Sequence, residues 1–149
     1  MKALLLSAAG PISNLSVGEL PLPEPGSNEI RVKVHAVSLN PVDYKTAGRG
    51  NDAWNYPHVL GLDVAGVVDA VGSDVEQWNP FDRVFYHGDL NKAGGYAEYA
   101  ITTAHTTARI PENVSFADAA AIPCAGLTAY EAVVRRLDVQ PEHTVWMQG

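Results

Sequence analysis

A chain of 149 residues is long enough for one domain with its own core and too short for two. Its 17 acidic and 10 basic residues give a formal charge of −7, and the basic residues are scattered, so nucleic acid is not an expected partner. The single cysteine, Cys124, excludes an internal disulfide and a zinc cluster of several cysteines, and it fits a reducing cytoplasm.

The first third of the chain predicts strands joined by extended or irregular segments. Residues 1–9 carry one lysine and an apolar stretch, as a signal peptide does, but the stretch is short and Pro11 follows at once, so an N-terminal strand is predicted. Prolines in residues 20–26 predict an extended surface connection. Apolar and polar side chains alternate over residues 30–36, which predicts a strand with one buried face. Residues 45–56 predict a loop with at most a short helix.

Residues 58–68 form the most informative segment. Gly61 and Gly66 interrupt a run rich in β-branched residues at intervals that a regular strand does not use, which predicts a buried, sharply bent strand pair. Residues 81–84 predict a turn that leads into a strand, and residues 94–99 predict a loop that leads into another. No apolar run reaches the roughly 20 residues that span a bilayer, so no membrane partner is expected.

The last third of the chain predicts two helices and one strand. Ser115 and Asp118 stand at capping-box spacing, which predicts a short helix that ends before Pro123. Apolar side chains on one face predict a second helix over residues 127–137. Residues 144–148, with apolar side chains at 145–147, predict a strand, which is followed by one glycine.

Together, the blocks at residues 58–68, 81–84 and 94–99 resemble the substrate-side domain of the medium-chain dehydrogenase/reductase superfamily. The resemblance implies a mainly β (α+β) fold: a GroES-like, partly open β-barrel with short flanking helices, then a linking helix and the first strand of a Rossmann domain. It divides the chain into a substrate-side domain, residues 1–125, and the start of a nucleotide-binding domain, residues 126–149.

In the resembled family, a glycine-rich loop that holds the pyrophosphate of the cofactor follows this last strand. Only its first glycine, Gly149, is present, so we expect the chain alone to be catalytically incomplete. We also expect the last strand to pack on the linking helix or to pair with a second copy in a homodimer.

The resemblance also bears on metal binding. In the zinc-dependent members of the family, a cysteine stands at the position of Asn40 and a histidine at that of Leu62, and Cys124 aligns with the third ligand. One cysteine cannot replace three ligands, so no metal is expected, and Cys124 is interpreted as a small buried residue. The four cysteines of the structural zinc lobe have no counterpart between Asp82 and Tyr96.

These departures imply the zinc-independent branch that contains quinone oxidoreductase and ζ-crystallin. Its enzymes transfer hydride from NADPH to a quinone or to the β-carbon of an enone, so a small molecule is the expected partner and NADPH the expected cofactor. Two alternatives stay open: a non-enzymatic GroES-like module that binds a protein, and an alcohol dehydrogenase-like reductase of other carbonyls. A cytoplasmic location is expected.

Three residues are candidate site residues, Asn40 and Thr128 by the resemblance and Tyr44 by its residue type. Asn40 is predicted to lie beside the nicotinamide, as a catalytic and a cofactor-binding residue, since a carboxamide donates and accepts hydrogen bonds. Tyr44 is predicted to be catalytic, as a proton donor or an aromatic wall, and Thr128 to bind the cofactor. Each has a structural alternative: Asn40 tightens a turn that Asp43 closes, Tyr44 packs, and Thr128 caps a helix.

Asp63 stands where the family has an acidic neighbour of the zinc-binding histidine, and we expect it to retain a structural hydrogen bond or ion pair. The five histidines lack metal-ligand spacing, and each is predicted to lie at the surface or to cap an element.

Overall fold

The computed structural model describes residues 1–148, and within them it contains eight strands and three α-helices. In chain order these are β1 (Lys2–Leu6), β2 (Leu15–Glu19), β3 (Glu29–Val37), α1 (Pro41–Arg49), β4 (His58–Val59), β5 (Asp63–Val71), β6 (Arg83–His87), β7 (Tyr99–Thr103), β8 (Thr107–Arg109), α2 (Phe116–Ala121) and α3 (Pro123–Tyr130). A π-helical segment, Glu131–Arg136, continues α3, and 3₁₀ turns lie at Ile12–Asn14 and Ala104–Thr106.

The strands form two antiparallel sheets. The smaller has the order β2-β1-β4, and the larger has the order β7-β3-β5-β6-β8. The sheets are open, with β7 and β8 at the edges of the larger one. This arrangement confirms the mainly β, partly open GroES-like fold that the sequence resemblance implies.

The core of the larger sheet follows from alternating side chains on its central strands. Ile30 and Val32 on β3 and Val64 on β5 are fully buried, as is Val84 on β6. Trp78 closes one side of this core, and its indole Nε1 donates a hydrogen bond of 2.9 Å to the carbonyl oxygen of Ala104. The predicted alternation over residues 30–36 is therefore correct.

Gly61 lies at the bend that residues 58–68 predict, and Gly66 lies at a close approach of two strands. Gly61 has a φ of +98°, and a Cβ there would lie 2.4 Å from Cδ1 of Tyr96. At Gly66, a Cβ would lie 2.2 Å from the carbonyl oxygen of Lys33. Only glycine fits both positions, because the first bends the chain between β4 and β5 and the second lets β5 approach β3 closely.

The structure differs from the predictions in three helical or strand segments. α1 begins at Pro41, ahead of the predicted loop, because proline suits a first helical turn and Asp43 Oδ2 accepts a hydrogen bond of 2.8 Å from the backbone N–H of Asn40. α3 begins at Pro123, four residues before the predicted helix over 127–137, because proline suits the first helical turn. Residues 144–148 form no strand, since no strand in the described residues pairs with them.

The short helix after residue 115 is confirmed. Ser115 Oγ accepts a hydrogen bond of 3.1 Å from the backbone N–H of Asp118, and α2 follows. The predicted helix over residues 127–137 does not bury its apolar face in this structure. The four side chains of that face are between 48% and 65% exposed: Leu127, Tyr130, Val134 and Leu137. In the described part of the chain, each helix falls short of the length and hydrophobicity that a membrane span requires.

Candidate functional site

Three central strands of the larger sheet and two helices bring polar residues together where β3 and β6 end and β5 begins. Because β5 runs antiparallel to β3 and β6, its first residue lies beside the last residues of both neighbours. Asp63 therefore stands directly opposite His87. The segment after β3 adds Ser38 and Asn40, and the first turn of α3 adds Cys124. We call these five residues the Asp63 cluster.

The carboxylate of Asp63 lies at the centre of the cluster. Asp63 is completely buried, and its Oδ1 lies 2.6 Å from His87 Nδ1. Its Oδ2 accepts hydrogen bonds from Ser38 Oγ at 2.8 Å and from Asn40 Nδ2 at 2.9 Å. The backbone N–H of Cys124 lies 3.1 Å from both oxygens. Every lone pair of the buried carboxylate is thus directed at a donor, as a buried charge requires.

These contacts shift the pKa values of the cluster in opposite directions. Burial by itself raises the pKa of Asp63, but the hydrogen bonds from His87, Ser38, Asn40 and Cys124 outweigh burial and lower it. The hydrogen bond to Asp63 raises the pKa of His87 and outweighs the burial of its ring. The pair therefore favours an ionised aspartate and a protonated histidine.

The carboxamide of Asn40 is oriented by the same carboxylate. Its Nδ2 donates to Asp63 Oδ2 and, at 2.9 Å, to Ser38 Oγ. The donor side of the carboxamide is therefore used within the cluster, and only its oxygen can meet a ligand. Asn40 was expected to donate and to accept hydrogen bonds at the site. With its amide nitrogen used within the cluster, it can only accept a hydrogen bond from a ligand. The structural interpretation also holds in part, because Asn40 and Asp43 cap α1.

Thr128 and Tyr44 lie near the cluster on two different helices. Thr128 is exposed on α3 one turn after Cys124. Tyr44 is 57% exposed on α1 one turn after Asn40, and none of the described residues forms a hydrogen bond with its hydroxyl. Thr128 and Tyr44 therefore each lie one helical turn from a member of the cluster, and their roles at the site stay predictions.

Asp63, His87 and Cys124 could also be considered as metal ligands, since one ligand atom of each lies within 4.8 Å of the others. The donor chemistry fits a metal poorly. Both oxygens of Asp63 already accept hydrogen bonds, and burial followed by the charge of Asp63 raises the pKa of the Cys124 thiol, which disfavours the thiolate that zinc requires. Leu62 has no ligand atom, and Asn40 directs its amide nitrogen at a carboxylate. The described residues fit a hydrogen-bonded cluster better than a metal site.

Sequence reasoning identified Asn40, Asp63 and Cys124 and missed Ser38 and His87. His87 is neither a surface residue nor a cap: its side chain is two thirds buried against Asp63. His58 is buried as well, so two of the five histidines contradict the prediction. The signal for His87 was its position at the end of a strand, opposite an acidic residue that begins the neighbouring strand. Cys124 is only half buried, and its backbone, more than its side chain, holds the cluster together.

The sequence matches the model of the alcohol dehydrogenase GroES-like domain over residues 26–112. It is 41% identical over 109 residues to a zinc-type alcohol dehydrogenase-like protein of Staphylococcus aureus, an alignment that covers 73% of this chain and 32% of the relative. It is 36% identical over 132 residues to the human quinone oxidoreductase, which covers 88% of this chain and 40% of the relative. The alignments span 32% and 40% of the length of these curated relatives.

Solved structures show the same similarity. A NAD-dependent alcohol dehydrogenase has a TM-score of 0.90 at 36% identity, covering 95% of this chain and 49% of that one. The Escherichia coli quinone oxidoreductase complexed with NADPH has a TM-score of 0.83 at 29% identity, covering 92% of this chain and 41% of that one.

Proposed function

Because the chain belongs to the alcohol dehydrogenase GroES-like domain family, we propose that it is the substrate-side domain, residues 1–125, of a zinc-independent, NADPH-dependent reductase. In this proposal residues 126–149 lead into a nucleotide-binding domain. The substrate is a quinone or an α,β-unsaturated carbonyl compound. A reducing cytoplasm suits its free thiol, Cys124.

One observation carries this proposal: a hydrogen-bonded carboxylate, Asp63, occupies the centre of the site in place of a set of metal ligands. A reductase without a Lewis acid suits substrates whose negative charge spreads over a conjugated system, as it does in a quinone or an enone. The similarity to quinone oxidoreductases supports the same class. The similarity to a NAD-dependent alcohol dehydrogenase favours a second candidate, reduction of an unconjugated carbonyl.

In the proposed reaction, bound NADPH supplies a hydride. Asn40 offers its carboxamide oxygen as a hydrogen-bond acceptor, with its amide nitrogen held by Asp63. Thr128 offers an exposed hydroxyl on the adjacent helix. Tyr44 forms an aromatic wall one turn from Asn40. The chain therefore binds and orients the reactants through side chains that a single buried carboxylate arranges.

The test is oxidation of NADPH and NADH by the complete protein that contains this chain, with 1,4-naphthoquinone, cyclohex-2-enone and cyclohexanone as acceptors. We expect turnover of the first two with NADPH. Turnover of cyclohexanone alone would favour the second candidate. Turnover of none would overturn the enzymatic proposal and leave a protein-binding module.

Thr128→Ala and Asn40→Ala are each expected to lower kcat/KM for naphthoquinone about tenfold, since each removes one hydrogen bond that is worth about 1.4 kcal/mol. Thr128→Ser keeps the hydroxyl and is the matched control, with a kcat/KM close to that of the wild type. Circular dichroism checks that each variant is folded. Unchanged kinetics in both alanine variants would leave Asn40 as a helix-capping residue and Thr128 as a surface residue within α3.

The purified protein is expected to hold far less than one equivalent of zinc after incubation with zinc and dialysis, as measured by elemental analysis. The reason is that Asn40 and Leu62 supply no suitable ligand atoms beside Cys124. The double variant Asn40→Cys, Leu62→His restores a three-ligand set and serves as the positive control. About one equivalent in the wild type that Cys124→Ser abolishes would contradict the zinc-independent proposal.

A further inference from the structure

The two nitrogens of the His87 ring have different surroundings. Nδ1 lies 2.6 Å from Asp63 Oδ1, whereas Nε2 forms no hydrogen bond with any of the residues 1–148. The carboxylate accepts only, so Nδ1 carries a proton and donates. About a third of the side chain is exposed to solvent. His87 is thus fixed by a buried aspartate on one side and open on the other.

The groups that face His87 favour its protonated form. The hydrogen bond to Asp63 on β5 raises the pKa of His87 and outweighs the burial of the ring. The negative charges of Asp63 and of Asp43 on α1 raise this pKa further. From α3, the nearest titratable group is the thiol of Cys124, whose own pKa is raised so that it stays neutral. A second proton therefore remains on Nε2 at a higher pH than in a free histidine.

Resting on the function proposed above, we propose that His87 is the proton donor of this reductase and that Asp63 positions it. As hydride adds to the quinone or enone, an electron pair moves onto the carbonyl oxygen, and that oxygen takes the proton from Nε2. The N–H bond breaks, the O–H bond forms, and the imidazolium becomes a neutral imidazole that regains its proton from solvent. One hydride and one proton complete the two-electron reduction.

No other group of the cluster suits this role as well. The amide nitrogen of Asn40 is held by Asp63 and Ser38, and the backbone N–H of Cys124 is held by Asp63. The thiol of Cys124 is a weaker acid than a free cysteine. Tyr44 has no hydrogen-bond partner in the described residues to orient it. Among these groups, His87 is the one that is oriented by a hydrogen bond and also carries an acidic proton on a ring nitrogen without a partner in residues 1–148.

The first experiment measures the histidine rings of this 149-residue chain by NMR, without a cofactor. We expect the His87 ring to titrate at a higher pH than a free histidine, whose pKa is about 6.5. We also expect Asp63→Asn to lower the pKa of His87 if the variant folds. A wild-type His87 that titrates at or below the pH of a free histidine would overturn the proposal, whatever the variant does.

The second experiment measures kcat/KM for naphthoquinone against pH in the complete protein. Wild-type activity should fall as pH rises through the pKa of His87. His87→Gln, which keeps a donor for Asp63, should lower kcat/KM by about 10²- to 10³-fold and abolish this pH dependence, because general acid catalysis contributes on that scale. His143→Gln is the matched control, because His143 is exposed and lies outside the cluster, and it should match the wild type.

The outcomes separate this inference from the proposed function. Full activity of His87→Gln with an unchanged pH profile would overturn the role of His87 and leave the reductase intact, and so would a loss confined to Tyr44→Phe. A wild-type protein that reduces no quinone or enone would overturn the proposed function and this role together. One equivalent of zinc bound by Asp63, His87 and Cys124 would also overturn the role of His87 as proton donor.

Discussion

Asp63→Ala is expected to lower the free energy of unfolding by about 3 to 5 kcal/mol at pH 7, the range seen when one partner of a buried ionic pair is removed. The variant leaves the donors of Ser38, Asn40 and Cys124 facing an empty space, and it leaves the charged ring of His87 without its counter-ion. Desolvation of these donors, more than the lost attraction, makes the cost large.

Urea unfolding monitored by circular dichroism measures this effect. Asp63→Asn keeps the shape of the side chain and should lose less stability than the alanine variant. The matched surface control is Glu131→Gln, whose ion pair with Arg135 spans one exposed helical turn and is worth about 0.3 to 0.5 kcal/mol. A loss below about 1 kcal/mol for Asp63→Ala would mean that water replaces the carboxylate without penalty.

Acidification from pH 7 to pH 4.5 is expected to cost the protein about 2 to 3 kcal/mol through His58 alone. His58 is 6% exposed and its ring is stacked 4.1 Å from that of Trp54. Burial lowers its pKa from 6.5 to about 4. Between these two values the unfolded chain takes up the proton and the folded chain does not, so stability falls as the pH falls.

The measurement compares urea unfolding of the wild type and of His58→Phe at both pH values. The phenyl ring keeps the stacking on Trp54 and cannot titrate, so the variant should lack this part of the pH dependence. The difference in pH dependence between the two proteins gives the contribution of His58 alone, because both proteins contain the Asp63–His87 pair. Equal pH dependence in both would show that the ring of His58 reaches solvent in the folded state.

The Asp63–His87 pair has a pH dependence of its own. Because the pKa of His87 is raised above 6.5, its stabilisation is complete below pH 6.5 and is lost as the pH rises through the folded-state pKa. Because the pKa of Asp63 is lowered below 3.8, its stabilisation is complete above that value and is lost in stronger acid. The pair therefore stabilises the fold best between these two values.

The strands were accessible to sequence reasoning because their signals are local. The alternation over residues 30–36 predicts a strand with one buried face. The glycines at 61 and 66 predict a bent, buried segment, and both signals lie within a few residues of the chain. The start of α3 was less accessible, since Pro123 equally suits the end of one helix and the first turn of the next. The predicted strand over residues 144–148 depends on a partner, which its own side chains cannot specify.

Two of the five residues of the Asp63 cluster, Ser38 and His87, could not be predicted for the same reason. Asn40, Asp63 and Cys124 were identified through family positions, and their residue types were visible in the sequence. The meeting of His87 with Asp63 depends on the register of β5 against β6, which pairs these two residues directly. A shift of one residue in that register would turn His87 to the opposite face of the sheet.

The Asp63 cluster also bears on how the protein folds. The hydrogen bonds of Asp63 reach 24 positions along the chain to His87 and 61 positions to Cys124, so no local segment can form them by itself. Contacts of such separation form late and slowly, after the entropy of closing long loops has been overcome. Partly folded states therefore lack the whole site, and the amide proton of Cys124 should exchange with solvent only when α3 leaves the sheet.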